Sequence, residues 1–260
     1  MIDALLQVSP HLRDRLALAL ESGLLGGSPP EAALRSVLGN SDAIETVVRA
    51  LAAFDRLGVG GPVAAAWVRS LNAASASAPQ TDLVWSGPEV PGLHARDTRR
   101  VYEELLGSAV RSLWVSTFAF FDGPRVFEVL ARQMENATGL QVTLLLNIQR
   151  KRGDTTAAEQ LVRRFADRFW SVDWPGATRP RVFFDPRALE PDSPGGVLHA
   201  KAIVSDDDTV FVTSANLTEA ALGRNIELGL LVRDRALAVS VIAHFRGLID
   251  RRMLHALPGE

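Results

Sequence analysis

Between Val197 and Gly229 the chain reads VLHAKAIVSDDDTVFVTSANLTEAALGRNIELG. His199 and Lys201 stand two residues apart at the start of an apolar run, and a strand sets such a pair on one face. Ser214 and Asn216 have the same spacing at the end of the next run. An imidazole, a fixed cation and two hydrogen-bonding side chains in one place suit a phosphodiester. The Lys ammonium and the Asn amide can hold the two charged non-bridging oxygens. An unprotonated imidazole can attack phosphorus and later leave as a phosphohistidine, which divides one difficult displacement into two easier ones. Glu227 is expected to accept a hydrogen bond from the imidazole and fix its tautomer. A His-x-Lys pair alone is commonplace, but Lys is scarce in this chain: Lys151 and Lys201 are its only two.

These groups meet only if the intervening elements form a hairpin. The runs 201–205 and 209–214 are separated by three aspartates, Asp206 to Asp208, which read as a tight turn. The second run then ends beside the start of the first, and the aspartates sit at the far turn rather than in a metal site. Around the hairpin, strand-like and helix-like stretches alternate. Helices are expected over 98–112, 124–137, 155–170 and 235–257, and strands over 113–120, 140–147, 181–185 and 225–233. This alternation predicts an α/β fold with a sheet covered by helices on both faces. The hairpin makes the sheet mixed.

The spacing His199-x-Lys201, Asp206, Ser214, Asn216 resembles the H-x-K-x4-D-x6-G-S-x-N motif of the phospholipase D superfamily. Thr213 departs from it, standing where the family has Gly, and is expected to restrict the backbone there and alter the turn slightly. The resemblance implies a phospholipase D-like fold with His199 as nucleophile and Lys201 and Asn216 as a phosphate clamp supported by Ser214. It implies a turn-holding role for Asp206 and the orienting acid in Glu227. No metal and no cofactor is implied. The superfamily's active sites use two motifs, and this chain has one; LHARD (93–97) lacks the Ser-x-Asn that would make a second, and reads as a loop. Single-motif members pair two chains about a two-fold axis, so a homodimer with a composite two-histidine site is expected.

The first 72 residues carry no chemical motif. They read as a small helical bundle of four amphipathic helices, with Ser9, Ser28 and Ser41 as N-terminal caps. A linker is expected over 73–82, small and polar, leaving 83–260 as the catalytic domain. The net charge of −2 advertises no nucleic-acid partner, and the absence of Cys excludes disulfides and Cys-ligated zinc. The N-terminus has no basic segment followed by an apolar one, and no run approaches the roughly 20 apolar residues of a membrane span, so a cytoplasmic protein without membrane contact is expected.

Substrate class is where the sequence leaves choices. Arg150, Lys151 and Arg152 follow a strand and can meet backbone phosphates, with Arg163, Arg164 and Arg168 on the next helix; a solvated basic face fits them as well. The aromatics of 118–121 read first as core and second as a platform for stacking bases. The helical N-terminal segment, the stretch VWSGPEVPG and the single motif together resemble the phospholipase D-like proteins of bacterial DISARM anti-phage systems. That resemblance implies a role in restricting foreign DNA, with methylase and helicase partners. A nuclease, a phospholipase or phosphatidyl transferase, and a non-catalytic nucleic-acid-binding or scaffold subunit all remain compatible with the residues.

Overall fold

The structure is a computed structural model and describes residues 5–26, 29–39, 43–76, 78–89, 91–190 and 196–259. The chain forms two compact units, Met1–Ala78 and Pro79–Glu260. The first contains α1 (Pro10–Glu21), α2 (Glu31–Leu38), α3 (Ile44–Arg56) and α4 (Gly61–Ala76). Leucines, valines and alanines at three- and four-residue spacing bury one stripe of each helix, and Leu16, Leu34, Val47, Leu51 and Val68 share one core. Pro10 opens α1, where its missing N–H costs nothing. Ser28 and Ser41, two of the expected caps, lie outside the described residues.

Among the described residues, the second unit is built on a nine-stranded mixed sheet. Its strands are β1 (Gln80–Ser86), β2 (Arg96–Asp97), β3 (Ser112–Thr117), β4 (Gln141–Leu146), β5 (Arg181–Phe184), β6 (Ala202–Ser205), β7 (Thr209–Thr213), β8 (Glu227–Arg233) and β9 (His255–Ala256). Their order is β2-β1-β8-β7-β6-β3-β4-β5-β9. Strands β3, β4 and β5 run parallel, whereas β6, β7, β8 and β1 alternate in direction. The two halves meet where β3 pairs antiparallel with β6. Among the described residues, five α-helices complete the unit: α5 (Thr98–Ser108), α6 (Gly123–Asn136), α7 (Ala158–Arg168), the short α8 (Glu219–Gly223) and α9 (Arg235–Asp250). The main core, with Leu113, Val115, Leu144, Ile203 and Phe211 from the sheet, lies under α5 and α6. On the opposite face α9 covers Trp114, Val204 and Val210 through Ala238 and Ile242.

Several elements differ from the sequence expectations, each for a local reason. The expected linker is narrower, because α4 runs through Ala76 and β1 begins at Gln80. Strand β1 exists through main-chain pairing with β8 along its whole length, which polar side chains do not prevent. Helix α5 stops at Ser108, since the apolar run that follows belongs to β3. Helix α7 gives way to a π-helical turn at Phe169–Asp173, whose Phe169 is fully buried. The last helix ends at Asp250; Arg252 takes a left-handed conformation, and His255 and Ala256 then pair with Phe184 and Phe183. That short strand covers the open edge of β5.

Candidate active site

The β6–β7 hairpin forms as expected. Ala202 faces Val212, and the Thr213 N–H donates to the Lys201 carbonyl at 3.1 Å, so the end of β7 lies beside the start of β6. The turn is tight: Asp206 and Asp207 both have left-handed backbones, a conformation Asp tolerates better than most residues. The Asp206 carboxylate accepts from the backbone N–H groups of Arg111 (2.7 Å), Ser112 (3.1 Å) and Val110 (3.1 Å). Asp206 therefore ties the far turn to the start of β3 and takes no place among the reacting groups.

At the opposite edge of the sheet, His199 is exposed and Lys201 is 8% exposed. The Lys201 ammonium donates to the His199 carbonyl at 2.9 Å and lies 3.2 Å from both ring nitrogens. A nitrogen equidistant from the two lies over the face of the imidazole, along neither lone pair. The Phe118 ring packs on the imidazole at 4.8 Å between centroids and also stands 5.6 Å from the ammonium. Burial holds the Lys201 pKa below the usual lysine value, with the Glu227 charge pulling the other way.

The turn after β7 supplies the remaining groups. Asn216 accepts from the Ala119 N–H through its side-chain oxygen at 3.3 Å. Its amide nitrogen donates to nothing among the described residues, so both N–H groups stay available. The Tyr102 hydroxyl donates to the Ala215 carbonyl at 3.1 Å and pins this turn from α5. Burial, and then the Glu227 charge, push the pKa of this phenol up.

Two expectations require correction. Glu227 does not hold the imidazole in this chain: it accepts from the Ser214 hydroxyl and from the Asn225 amide at 3.2 Å. Ser214 spends its proton on Glu227 while accepting the Leu228 N–H at 3.1 Å, so it joins β7 to β8. Arg150 is not a free cation. Its guanidinium donates to the carbonyls of Leu189, Asp154 and Thr156 at 2.7–2.8 Å and folds the loop after β4. Lys151 and Arg152 remain exposed on that loop, and Arg163, Arg164 and Arg168 are exposed on α7.

Thr213, the departure from the motif, sits inside β7 opposite Gly229 of β8. A Cβ on Gly229 would come 3.0 Å from the Thr213 Cβ, 2.7 Å from the Phe211 ring and 2.9 Å from the Val212 carbonyl. The missing side chain of Gly229 makes the room that Thr213 fills. The Thr213 hydroxyl accepts the Ala215 N–H at 3.0 Å and stiffens the turn instead of distorting it. Sequence reasoning did not assign Tyr102 or Gly229 to the site, and read Phe118 first as core and second as a base platform rather than as a partner of His199. Tyr102 carried a signal, as the only Tyr in the chain.

The family described as "Cardiolipin synthase, PLD-like domain" matches residues 102–249, which takes in every residue of the motif. The chain belongs to the phospholipase D superfamily. Members of that superfamily are phosphodiesterases, and the sheet flanked by helices is their fold. Similar solved structures include Nuc, a phospholipase D family member from Salmonella typhimurium, at 20% identity and a TM-score of 0.43, covering 69% of this chain and 98% of Nuc. NucT from Helicobacter pylori is similar at 16% identity and 0.47, covering 66% and 97%. Phosphatidylserine synthase from Haemophilus influenzae Rd KW20 is similar at 18% and 0.46, covering 74% of this chain and 46% of the synthase. No curated protein matches the sequence. Among the described residues, no helix is long and apolar enough to cross a membrane, and no three His, Asp or Glu side chains converge to hold a metal ion.

Proposed function

We propose that this protein is a metal-independent nuclease that cuts DNA through a phosphohistidine on His199. The observation that carries the reading is the exposed imidazole set against Lys201 at the sheet edge where the Asn216 amide keeps its donors unspent. In the first step a ring nitrogen of His199 bonds to phosphorus, the bond to the leaving oxygen breaks, and that oxygen takes a proton from an acid. In the second, water attacks phosphorus, gives up a proton, and the P–N bond breaks to return the imidazole. Lys201 and Asn216 hold the non-bridging oxygens throughout. Ser214 and Glu227 hold the turn and strand beside them, and Asp206 holds the far turn. Lys151 and Arg152, on the loop after β4, lie at the same sheet edge and suit the flanking phosphates of a polymer.

A second copy of the chain supplies the acid in this reading. A row of apolar side chains supports the pairing: Leu83, Leu230 and Val212 lie in register across β1, β8 and β7, each about half exposed, with Leu228 on the same face. Leu228 adjoins Glu227 along β8, so in this reading a copy seated there lies near the site. The sequence features that resemble the phospholipase D-like protein DrmC of DISARM anti-phage systems (the helical N-terminal segment, VWSGPEVPG and the single motif) favour a defence role beside a methylase and a helicase in this reading.

Incubation with DNA, RNA, phospholipid vesicles and bis-(p-nitrophenyl) phosphate in EDTA tests the reading. Wild type is expected to cut DNA, and His199→Ala to lose that activity. Release of a lipid headgroup without DNA cleavage would make the protein a phospholipase or phosphatidyl transferase. DNA retention unchanged in His199→Ala, with no turnover in either protein, would make it a binding or scaffold subunit. In a DISARM-bearing host, phage plating restored by His199→Ala is the expected sign of the defence role, and unchanged restriction would refute it.

A further inference from the structure

A cleft that the phosphate-holding groups do not use opens beside the Ser214–Asn216 turn. Its walls are the N-terminal turns of α5 and α6, and its floor is Tyr102, Leu217 and Leu222. About 70 Å³ inside it admits water-sized groups, and the space beyond opens to solvent. Leu217 follows Asn216 directly, and its carbonyl accepts the Phe121 N–H at 3.3 Å, so the lip of the cleft is tied to the turn that bears Asn216. The aromatic run splits three ways here. Phe118 lies on the His199 ring, Phe120 packs into the core against Phe127, Phe165 and Phe169, and Phe121 stands at the lip, 68% exposed. The buried Phe120 fixes the spacing of the other two, which three residues hold to at most about 11 Å.

The charges at the mouth identify the occupant. Glu219 accepts from Arg99 at 2.6 Å and faces Arg125 at 3.6 Å, while Glu103 and Asp122 complete the rim. Three carboxylates against two guanidinium groups disfavour a phosphate. A charged rim over an apolar floor also disfavours an acyl chain, which would have to pass it. A flat, neutral ring with hydrogen-bonding edges suits all of these groups: it stacks on Phe121, covers the apolar floor and meets paired donors and acceptors at its rim.

We propose that this cleft is a subsite for one unpaired nucleobase, flanking the phosphate held at His199. The proposal rests on the nuclease reading and deepens it: the substrate is a single-stranded or locally opened strand, because a paired base cannot enter. The orienting contact is Phe121, and Arg99, Glu219 and Arg125 read the base edge.

The test compares wild type, Phe121→Ala and Phe121→Trp on a single-stranded oligodeoxynucleotide and on bis-(p-nitrophenyl) phosphate, which has no base. Phe121→Ala is expected to lower the ratio of kcat/KM for oligonucleotide over small substrate about tenfold, the worth of one stacked base. Phe121→Trp restores the ratio. A parallel arm measures binding by anisotropy in the His199→Ala background, with and without Phe121→Ala. It uses intact oligonucleotides and ones carrying a single abasic position, in DNA and RNA. The abasic strand is expected to bind more weakly than the intact one where Phe121 is kept, and equally well where Phe121→Ala is added. An unchanged substrate ratio, equal affinity for intact and abasic strands where Phe121 is kept, or a Phe121→Ala defect confined to vesicle binding would overturn the subsite. Failure of wild type to cut DNA would instead overturn the nuclease reading, and the binding arm would still decide the cleft.

Discussion

The motif's aspartate gives a sharp separation of structure from chemistry. From Lys201 to Asp206 is five residues of strand, about 16 Å, so a change at the far turn removes no group from the site. Asp206→Ala takes away a carboxylate that accepts three backbone N–H groups, with the shortest bond at 2.7 Å. Hydrogen bonds to a charged acceptor contribute about 1.5–3 kcal/mol each where their donors are buried. Val110 and Arg111 are exposed and regain water, while Ser112 is only half-buried. Discounted for that solvation, the three together are worth about 2–4 kcal/mol. Ala at a left-handed position adds about 1 kcal/mol more. At about 2–4 °C per kcal/mol for a chain of this size, the melting temperature should drop by about 6–20 °C. Asp206→Asn keeps one acceptor and a tolerated backbone, and should lose about half as much. Urea unfolding and initial rates on bis-(p-nitrophenyl) phosphate, taken well below the melting temperature, measure the two quantities on the same samples. Stability should fall while kcat/KM per folded molecule stays within about twofold of wild type. A variant of wild-type stability whose turnover has collapsed would refute this placement of Asp206.

Three further outcomes follow from packing and charge. Gly229→Ala should destabilise by about 1–3 kcal/mol, because its Cβ meets the Val212 carbonyl and the Phe211 ring; adding Thr213→Gly should recover only part of the loss in thermal unfolding, since those two contacts remain. Asp173 is buried and its pKa is raised by desolvation, against the opposing charge of Arg168. Its protonated form is therefore favoured on folding, and the stability it contributes is complete below the unfolded carboxylate value of about 3.9 and lost as pH rises through the folded one. Asp173→Asn should accordingly gain on wild type in urea midpoint between pH 3 and pH 7, and a gain equal at both pH values would contradict this. Leu230→Glu should shift the sedimentation coefficient to that of a monomer and abolish phosphodiester cleavage together; an active monomer would rule out the shared site.

The strands that place the site were legible because their side chains carry the signal. Trp114 and Val115 in β3, Ile203 and Val204 in β6, and Val210 and Phe211 in β7 are buried and β-branched or aromatic, and the three aspartates between β6 and β7 announce a turn. Strands β2 and β9 were not legible: each is two residues long and exists through main-chain pairing alone. The reacting groups were legible because imidazole, ammonium and amide are rare at such spacing, and chemistry restricts what they do together. Partner choice was not. Glu227 was expected to hold His199, yet Ser214, one strand away, reaches it first. Arg150 reads as a free cation until Leu189, 39 residues later, brings a carbonyl to its guanidinium. Competition among nearby acceptors depends on where loops return, and spacing along the chain does not encode that.

The same competition bears on why one motif would not suffice for the proposed reaction. Expelling an alkoxide requires an acid at the leaving oxygen. Tyr102 is buried, donates its proton to the Ala215 carbonyl, and has its pKa pushed up, so it is not poised to give that proton away. In the proposed reaction Lys201 holds the non-bridging oxygens, and its ammonium donates to the His199 carbonyl. Glu227 lies between Ser214 and Asn225 as an acceptor. His199 cannot act as nucleophile and acid in one step. In the proposed reaction Lys201, Ser214 and Glu227 hold the phosphate or the turn, and a second copy of the chain is proposed to supply the proton. A second His199, brought by a copy seated along Leu83, Leu230 and Val212, has the right chemistry. It also relieves the asymmetry of the half-site, because each imidazole can then attack in one turnover and protonate in the next.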